Sequence, residues 1–404
     1  MSLRRHIIIG LSRPANASAG AVRPAAALVR LNTTTVLQIQ IFDDLRELPA
    51  AALALCDDAS TGSVFNSAVW LTRVTPAALQ AGDRLQMLLV TGDAEQATPL
   101  ALLPAVYSRL YGSYPGARVL HFLQREEQVY EPIGPTIDTR AVADCVAKWL
   151  CGHSPAFDVV RVNPLSAGQP FLSMIAAALS GNGHWVQLYH HPKGRFAVVS
   201  GMTFKDYLAQ RPRALRESLE VNTRLLLQGG RGVFQFANSP ELITEAWDMV
   251  RYVIQQVPQE EVQDPPAYVA AMLTSAADTG TLRLGLFLLD GAPVAMQFWI
   301  VSAGKARCLR IWTVPGQRAF PIDDVLTQLM LLCLIDGDHV DELDFGDVSA
   351  EFAQDWAPQE RERIGLAAFN RRTWRGVRGA MRHIGAQMVK TAPARLWRLL
   401  RGQR

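Results

Sequence analysis

Apolar and polar positions in the first half of the chain follow two periods, one typical of strands and one typical of helices. Short alternating or wholly apolar runs, which predict strands, occupy residues 36–42, 84–90, 99–110, 118–123 and 157–165. Apolar residues with helical spacing occupy residues 45–57, 65–74, 139–150 and 170–179. The last of these begins at Pro170 and is followed by Gly181, the usual asymmetry of helix ends. This half therefore predicts a mixed α/β domain.

The second half of the chain mixes the same two periods in another order. Helical spacing occurs at residues 204–228, 239–256, 265–280 and 321–336, and Pro212 is expected to break or kink the first of these helices. Strands are predicted at residues 233–237, 282–291, 293–304, 306–314 and 342–347. Asp290 and Gly291 predict a tight hairpin turn. Helix, helix, strand meander, helix and strand is similar to the element order of a GNAT acyltransferase domain.

The length of 404 residues suits two domains, because single cores seldom grow beyond about 250–300 residues. We predict a disordered basic leader at 1–34, GNAT-like domains at 35–200 and 201–370, and a basic helical tail at 371–404. In each domain a mixed, mostly antiparallel sheet is expected between helices, which is an α/β (α+β) class. A composition of 49% apolar and 19% charged residues is typical of such globular domains.

Cysteine usage and hydropathy indicate a cytoplasmic protein. The five cysteines have irregular spacings and do not form the dense framework of a secreted domain, so reduced thiols are expected. Cys145, Cys151 and His153 lie close in sequence, but their spacing is not that of a zinc site, and no metal is predicted. No apolar run reaches the roughly 20 residues that span a bilayer.

Charge is distributed unevenly along the chain. The formal net charge is +3, but five basic residues and no acid precede Asp43, and ten basic residues and no acid lie at 371–404. Removing these fifteen charges leaves about −12 for the residues between them. Nucleic-acid binders need a basic face on the fold itself, so the acidic body predicts no DNA partner.

The tail has a pattern of its own. Apolar residues recur at steps of three and four, at Trp374, Val377, Met381, Ile384 and Met388. Arginines fall between them, at Arg375, Arg378 and Arg382. A basic amphipathic helix is typical of a membrane-surface anchor, here in peripheral contact with an anionic inner membrane. The alternative is a helix packed on the acidic body, and the sequence does not distinguish the two.

Four motifs follow one another between residues 36 and 370. They are FNSAVWLTRV at 65–74, FDVVRVNPL at 157–165, an arginine-rich helix at 207–224, and LRLGLFLLDGAPVAMQFWI at 282–300 with a later DFGD at 344–347 and DW at 355–356. Their order resembles the CelD-like acetyltransferases, a branch of the GNAT superfamily related to the FemAB aminoacyl transferases. The resemblance implies a tandem GNAT fold that transfers an acyl group from acyl-CoA.

The resemblance also implies a site for the acyl-CoA co-substrate. GNAT enzymes hold the CoA pyrophosphate on backbone N–H groups where a strand meets the N-terminus of a helix, the positive end of its dipole. The matching junction runs from Val314 through Gln317 and Arg318 to the helix at Ile322, and these four are the predicted cofactor-binding residues.

One departure from the family pattern and two acidic residues bear on this site. Residues 320–322 are Phe-Pro-Ile where family members tend to have Ser-Pro-Gly, so the small residue that lets a phosphate approach is missing. Asp323 and Asp324 suit the helix dipole but repel a phosphate, and Arg318 is expected to offset one of them. An ordinary, well-capped core helix is the alternative.

The DFGD motif supplies the candidate catalytic carboxylates. Asp344 and Asp347 fall at a strand end, and either is expected to act as general base for an attacking amine if burial raises its pKa. The alternative is a pair of turn and capping carboxylates. Family members usually continue with a Tyr-Lys pair, which is replaced here by Phe352 and Ala353.

Three further residues are predicted to contact substrate. Arg310 and Trp312 are two apart on a meander strand and therefore share a face, and Arg216 matches a basic position of the family. Core packing of Trp312 and a solvated helix face for Arg216 are the competing interpretations.

Together these features predict a cytoplasmic GNAT-type acyltransferase. Its acceptor is expected to be an amine or hydroxyl of a polysaccharide, envelope or small-molecule precursor, which attacks the thioester directly. A FemAB-like transferase that uses aminoacyl-tRNA is the second hypothesis, although the acidic body disfavours an RNA donor. A non-catalytic GNAT-like scaffold in polysaccharide biosynthesis is the third, and the altered helix entry at 320–322 and the missing Tyr-Lys pair favour it.

Overall fold

The computed structural model of this chain describes residues 7–9, 37–56, 64–92, 98–109, 111–112, 114–122, 133–134, 140–153, 156–166, 169–258, 262, 264–316, 320–346 and 348–391. Side chains are described throughout these ranges except at 7–9, 163–166 and 386–391. The predicted site residues Gln317, Arg318 and Asp347 lie outside the described residues, as does Met388 of the tail pattern for its side chain.

Fifteen strands form within the described residues. They are β1 (Ile7–Ile9), β2 (Gln38–Phe42), β3 (Arg84–Thr91), β4 (Pro99–Ser108), β5 (Val119–Phe122), β6 (Val159–Ser166), β7 (His184–His190), β8 (Gly194–Val198), β9 (Gly232–Ala237), β10 (Leu282–Leu289), β11 (Ala292–Ser302), β12 (Lys305–Thr313), β13 (Glu342–Asp344), β14 (Gln359–Arg361) and β15 (Arg363–Asn370). The predicted hairpin turn is confirmed, because Asp290 and Gly291 join β10 to β11 with φ of 52° and 84°.

Eleven α-helices accompany them in the described chain. They are α1 (Ala50–Cys56), α2 (Ala68–Ala78), α3 (Arg140–Gly152), α4 (Pro170–Gly181), α5 (Phe204–Ala209), α6 (Arg213–Thr223), α7 (Pro240–Gln256), α8 (Pro266–Asp278), α9 (Ile322–Leu332), α10 (Ala350–Trp356) and α11 (Trp374–Thr391). Short 3₁₀ turns lie at Leu45–Glu47 and Val64–Asn66, and π turns at Arg224–Gln228 and Cys333–Gly337 extend α6 and α9. Pro212 separates α5 from α6, which confirms the predicted break.

The first sheet has seven strands in the order β2-β3-β4-β5-β6-β15-β7. Its pairs are antiparallel except β5 with β6, which run parallel on either side of the α3 crossover. Helices α3 and α4 pack on one face, because their apolar stripes meet the buried residues of β3, β4, β5 and β6. Helices α1 and α2 cover part of the other face.

The second sheet has eight strands in the order β1-β9-β10-β11-β12-β13-β8-β14. Strands β9 to β12 are antiparallel neighbours, β12 and β13 are parallel, and β8 and β14 follow in antiparallel pairing. Helices α5, α6, α9 and α10 share a core on one face, and α7 and α8 share a core on the other. The mixed α/β class with two helix-flanked sheets is therefore confirmed.

The two sheets exchange strands. Adjacent strands β7 and β8 lie in different sheets, and so do β14 and β15, so that the chain crosses between sheets near residues 191–193 and at Glu362. The two crossings are joined where the His191 N–H donates to the Arg363 carbonyl at 3.0 Å. Strand β15 thus pairs in the first sheet although it lies in the predicted second domain, and the domain boundaries at 200 and 370 stay a prediction.

One predicted segment differs in the structure. Residues 7–9 of the expected disordered leader form β1, which pairs in parallel with β9 along Ile7↔Phe234 to Ile9↔Phe236. The prediction is wrong for these three residues, because an isoleucine triplet has high strand propensity and the sheet offers it an edge. The rest of the leader lies outside the described residues.

Candidate functional site

The pairing of β12 opens a strand edge in the middle of the second sheet. Strand β12 pairs with β11 along its whole length, but with β13 only from Lys305↔Glu342 to Arg307↔Asp344. In the described register, residues 308–313 of β12 therefore have a ladder on one side only. Such an edge presents backbone N–H and C=O groups that an extended ligand can pair with.

A β-bulge lies at the start of this open edge. The pairing of β11 with β12 shifts between Phe298↔Arg310 and Trp299↔Cys308, so Leu309 is the extra residue. The Leu309 side chain is buried, and its carbonyl accepts from the Arg310 guanidinium at 2.6 Å. A bulge turns backbone groups away from the regular ladder, which is a common way to aim them at a ligand.

The loop after β12 leads into α9. Gly316 has φ of +91°, a conformation that side-chain-bearing residues rarely adopt, and Pro321 precedes the first residue of the helix. The Val314 N–H donates to the Val294 carbonyl at 2.8 Å, and the N–H of buried Ile322 donates to the Phe320 carbonyl at 2.9 Å. These two N–H groups already donate within the protein. The N–H groups of Asp323 and Asp324, the next residues of the first turn, are therefore better candidates to bind an anion. The cofactor role of Val314 and Ile322 stays a prediction.

Both carboxylates in the first turn of α9 have protein partners. The Thr313 hydroxyl donates to Asp323, and the Trp356 indole N–H donates to Asp324 at 3.1 Å. Burial raises the pKa of Asp324, and the nearby carboxylates of Asp323 and Asp355 raise it further against the Trp356 hydrogen bond. A carboxyl with a raised pKa at a helix N-terminus is a candidate functional group.

The sequence did not single out Asp324 for this role. Its partner, Trp356, is 32 residues away in α10, and only the fold brings the two together. Two aspartates in the first turn of a helix are explained by their interaction with the helix dipole. No local signal therefore distinguishes this structural role from a functional one.

A buried polar network fixes α9 on the meander. The Trp299 indole N–H donates to the side-chain oxygen Oε1 of Gln297 at 3.0 Å, and the side-chain NH₂ of Gln297 donates to the Thr327 hydroxyl. That hydroxyl donates to the Asp323 carbonyl at 2.7 Å. Gln297, Trp299 and Thr327 are fully buried, so the network positions the first turn of α9 relative to β11.

Asp344 lies at the end of β13, in a cluster of cations. It is 5% exposed, its carboxylate is 3.1 Å from Arg307 and 3.8 Å from Arg361, and it accepts from the Gly346 N–H at 2.8 Å. Burial alone raises the pKa of Asp344, but Arg307, the Gly346 N–H, Arg363 and Arg361 outweigh it, so this pKa lies below its usual range. These contacts fit the alternative that Asp344 is a structural turn carboxylate, since a carboxylate with a lowered pKa is a weaker base. The catalytic roles of Asp344 and Asp347 stay predictions.

The structure does not bring all of the predicted substrate residues together. Arg310 donates to the buried Asp264 at 2.9 Å, and Trp312 is 4% exposed within the core between β12 and α7 and α8. Arg216 is exposed on α6. These positions fit the competing structural interpretations of Trp312 and Arg216, and the substrate roles stay predictions.

A cation that the sequence did not indicate lies beside the loop before α9. The Arg231 guanidinium lies over the Phe320 ring, 5.7 Å from its centroid, and pairs with the exposed Asp290 at 2.6 Å. Because Arg231 precedes β9 in sequence, only the pairing of β9 with β10 brings it near this loop.

Comparison with known proteins supports the second sheet as a transferase domain. Residues 213–356 match the family model described as an acetyltransferase (GNAT) domain. This range contains β9 to β13, the bulge at Leu309 and Trp356. No curated protein matches the chain.

Several solved structures are similar to this chain. A C-terminal domain (DUF2156) assigned to a lysylphosphatidylglycerol synthetase from Agrobacterium fabrum is 12% identical, with a TM-score of 0.51 over 84% of this chain and 96% of that one. FemX is 10% identical, with a TM-score of 0.49 over 77% and 94%. A tandem GNAT protein from the clavulanic acid biosynthesis pathway is 14% identical, with a TM-score of 0.43 over 82% and 98%.

The family match and the fold together indicate a GNAT-fold transferase. Across the described part of the chain, no three His, Cys, Asp or Glu side chains are grouped to hold a metal ion. Within the same residues, no helix combines the length and the hydropathy needed to cross a bilayer.

Proposed function

We propose that this chain is an acyltransferase that takes its acyl group from acyl-CoA and binds this donor on the second sheet. The observation that carries the proposal is the one-sided edge of β12 beyond Arg307, which begins at the Leu309 bulge and ends at the first turn of α9. A linear donor with amide groups in its arm and phosphates at one end matches an open strand edge that leads to a helix N-terminus.

Each part of the donor has a complementary part of this edge. The amides of the pantetheine arm pair with residues 308–313 as an added strand would. The pyrophosphate lies at the start of α9, where the helix dipole and Arg231 favour negative charge, and Arg318 comes four residues before this helix in the sequence. Backbone N–H groups beside the bulge at Leu309 stabilise the oxyanion that forms at the thioester carbonyl.

The chemistry is a direct transfer to an amine or hydroxyl acceptor. The acceptor nitrogen or oxygen forms a bond to the thioester carbonyl carbon, the carbon–sulfur bond breaks, and CoA leaves as a thiolate. The acceptor proton goes to a carboxylate. Asp344 pairs with Arg307 next to the Leu309 bulge and so lies at the thioester end of the edge, whereas Asp324 lies in the first turn of α9 at the pyrophosphate end. The carboxylic acid formed in this step gives its proton to the departing thiolate, so that protons and charge are balanced over the reaction.

The acceptor belongs in this proposal to a polysaccharide, envelope or small-molecule precursor, and the reaction takes place in the cytoplasm. The similar Agrobacterium fabrum structure is named for a synthetase of lysylphosphatidylglycerol, which is a lipid, so the proposed envelope acceptors include lipids. Transfer from aminoacyl-tRNA is the second candidate, and the ten basic residues without an acid at 371–404 favour it, since RNA needs cations.

Calorimetric titration of the full-length protein with acetyl-CoA and longer acyl-CoAs tests the donor. We expect binding in the micromolar range that Arg318→Ala and Arg231→Ala each weaken about three- to tenfold, because each removes a cation near the pyrophosphate. Arg251→Ala is the matched control, since Arg251 is also an exposed, ion-paired arginine but lies on α7. No binding of any acyl-CoA up to millimolar concentration would contradict the proposal and favour aminoacyl transfer or a scaffold.

A further inference from the structure

Helix α11 packs on the first sheet through small residues. Gly376, Gly379 and Ala380 form the buried stripe of the helix. A Cβ atom at Gly376 would overlap the Asn370 carbonyl, and one at Gly379 would lie 3.3 Å from the Phe369 ring. The helix therefore docks closely by its smallest side chains, and its predicted apolar stripe is not the side that packs on the body.

The apolar stripe of α11 faces solvent instead. Trp374, Val377 and Met381 are 69%, 37% and 54% exposed, and their spacing of three and four places them on one side of the helix. Trp374 is the most exposed large apolar side chain in the described chain. Trp185 of β7 is 50% exposed and shares a sheet face with Tyr189, whose ring contacts His383 of α11. Clustered exposed aromatic and aliphatic side chains mark an interaction surface.

Arginines form a second stripe next to this apolar one. Arg375, Arg378 and Arg382 each follow one residue after Trp374, Val377 and Met381, and all three are exposed. Arg378 donates to the Pro115 carbonyl at 2.9 Å, and among the described residues no ion pair joins this stripe to a carboxylate. Burial is the main cause of the lowered pKa of His184, and the nearby charges of Arg372 and Arg371 lower it further.

We propose that the outward face of α11 binds the surface of an anionic lipid bilayer. Trp374, Val377 and Met381 insert at the boundary between headgroups and acyl chains, and the arginine stripe contacts lipid phosphates. The apolar stripe beside the arginine stripe favours a lipid bilayer over other partners. A second copy of the chain would bring a like-charged tail to the same place, and a nucleic acid would use the arginines but gain little from an inserted Trp-Val-Met stripe.

The residues at 392–404 extend this chemistry in the sequence. They include Arg395, Arg398, Arg401 and Arg404, with Leu396, Trp397, Leu399 and Leu400 between them and no acid. Two cooperating signals, apolar insertion and a polybasic segment, are what stable attachment to a bilayer surface requires.

Co-sedimentation of the full-length protein with lipid vesicles tests the proposal. We expect binding to phosphatidylcholine vesicles that contain about one-third phosphatidylglycerol, at least about tenfold weaker binding to pure phosphatidylcholine, and weakening by salt. Trp374→Ser with Met381→Ser should reduce binding to the anionic vesicles about tenfold. Val221→Ser with Leu225→Ser is the matched control, because these residues are 54% and 53% exposed on α6 and its π turn, and it should bind as the wild type does.

Three results would overturn the inference. These are equal binding to neutral and anionic vesicles, unchanged binding of the Trp374 and Met381 variant, and self-association of the wild type that this variant abolishes, which would make a second copy the occupant. Arg375→Gln with Arg382→Gln is a second variant that keeps the apolar stripe, and it must also weaken binding to anionic vesicles.

Discussion

The two sheets share one pairing scheme and differ in how they continue beyond the parallel pair. Apart from β1 at the edge of the second sheet, each sheet has four antiparallel strands, then a parallel neighbour, then two antiparallel strands, one of which comes from the other half of the chain. Both parallel pairs are three residues long, at 119–121 with 159–161 and at 305–307 with 342–344. Strand β5 ends one residue later, whereas β12 continues through 308–313. A shared backbone scheme thus provides a long open edge in the second sheet and not in the described part of the first.

The side chains at the end of each parallel pair also differ. In the first sheet His121 pairs with Arg161, whose guanidinium donates to the Tyr111 hydroxyl at 2.9 Å and to that of Tyr189. In the second sheet Arg307 pairs with Asp344 in an ion-pair cluster. Aromatic residues and neutral histidines surround the cation of the first sheet, and cations surround the carboxylate of the second. Arg161 in the first sheet and Asp344 in the second occupy equivalent positions and carry opposite charge. The side chains around them should therefore respond differently to mutation and pH.

Removing the carboxylate of the second sheet should have the largest effect on stability. Asp344→Asn leaves Arg307 without its buried counter-charge, while Arg361 keeps its ion pair with Glu342 at 3.0 Å. Losing one partner of a buried ion pair costs about 3–5 kcal/mol. Urea unfolding at pH 7 measures this cost. Asp290→Asn, which removes an exposed partner of Arg231, is the control and should leave the midpoint almost unchanged. A small effect of Asp344→Asn would mean that the cluster is solvated.

Asp324 tests the pyrophosphate end of the proposed donor site. Asp324→Asn should tighten acyl-CoA binding about tenfold, because it removes a negative charge beside the proposed pyrophosphate position, while the amide oxygen can still accept from the Trp356 indole N–H. Calorimetric titration of the variant with acetyl-CoA measures this change. Asp336→Asn is the control for an acidic residue at the far end of the same element, in the π turn. Binding that Asp324→Asn leaves unchanged or weakens would place the pyrophosphate away from the first turn of α9.

Acid should weaken the first sheet before the second. Burial is the main cause that lowers the pKa of His121, His184 and His191 to about 4 each. The unfolded chain then takes up these protons first as pH falls from about 6.5 to 4, so the folded state loses stability in that window, by about 2 kcal/mol at pH 5 for the 4%-exposed His184. Asp344 has a lowered pKa, so its contribution is present above about pH 4 and is lost only below it.

Urea unfolding at pH 7 and pH 5 measures this difference. His184→Gln should reduce the loss between the two pH values, whereas His339→Gln, in the second half, should not. An equal loss in the wild type and His184→Gln would show that His184 is protonated in the folded protein.

The smallest predicted effect concerns the strand exchange. A Cβ atom at Gly194 would lie 2.6 Å from the Arg363 guanidinium, which donates to the Gly346 carbonyl at 3.0 Å. Gly194→Ala should therefore displace Arg363 and cost about 1 kcal/mol. Gly152→Ala is the matched control, since its Cβ would meet no neighbour within 4 Å. Equal midpoints for both variants in urea would show that Arg363 adjusts freely.

Hydrophobic periodicity predicted most elements of the fold, but not the exchange between the sheets. Strand β15 contains Gly365, Ala367 and Ala368, small residues with weak strand propensity, and the sequence of β7, HWVQLYH, does not alternate between apolar and polar residues, so neither was predicted. Their pairing depends on contacts between distant segments, which local patterns do not encode.

The candidate site was predictable in place but not in detail. The strand–loop–helix junction near 314–322 follows from element order and the family resemblance. The bulge at Leu309, the Trp356 partner of Asp324 and the approach of Arg231 to Phe320 depend on register and tertiary packing. The prediction that the carboxylates of DFGD lie at a strand end did not reveal that three arginines surround Asp344, because the partners come from β12 and from the segment around Glu362.

The most direct test of the central claim is amide hydrogen exchange of the full-length protein with and without acetyl-CoA. Donor binding on the second sheet predicts slower exchange at residues 308–316 and in the first turn of α9, with β5 at 119–122 unchanged. Protection at 119–122, or saturating binding without protection at 308–316, would contradict the assignment of the donor to the β12 edge.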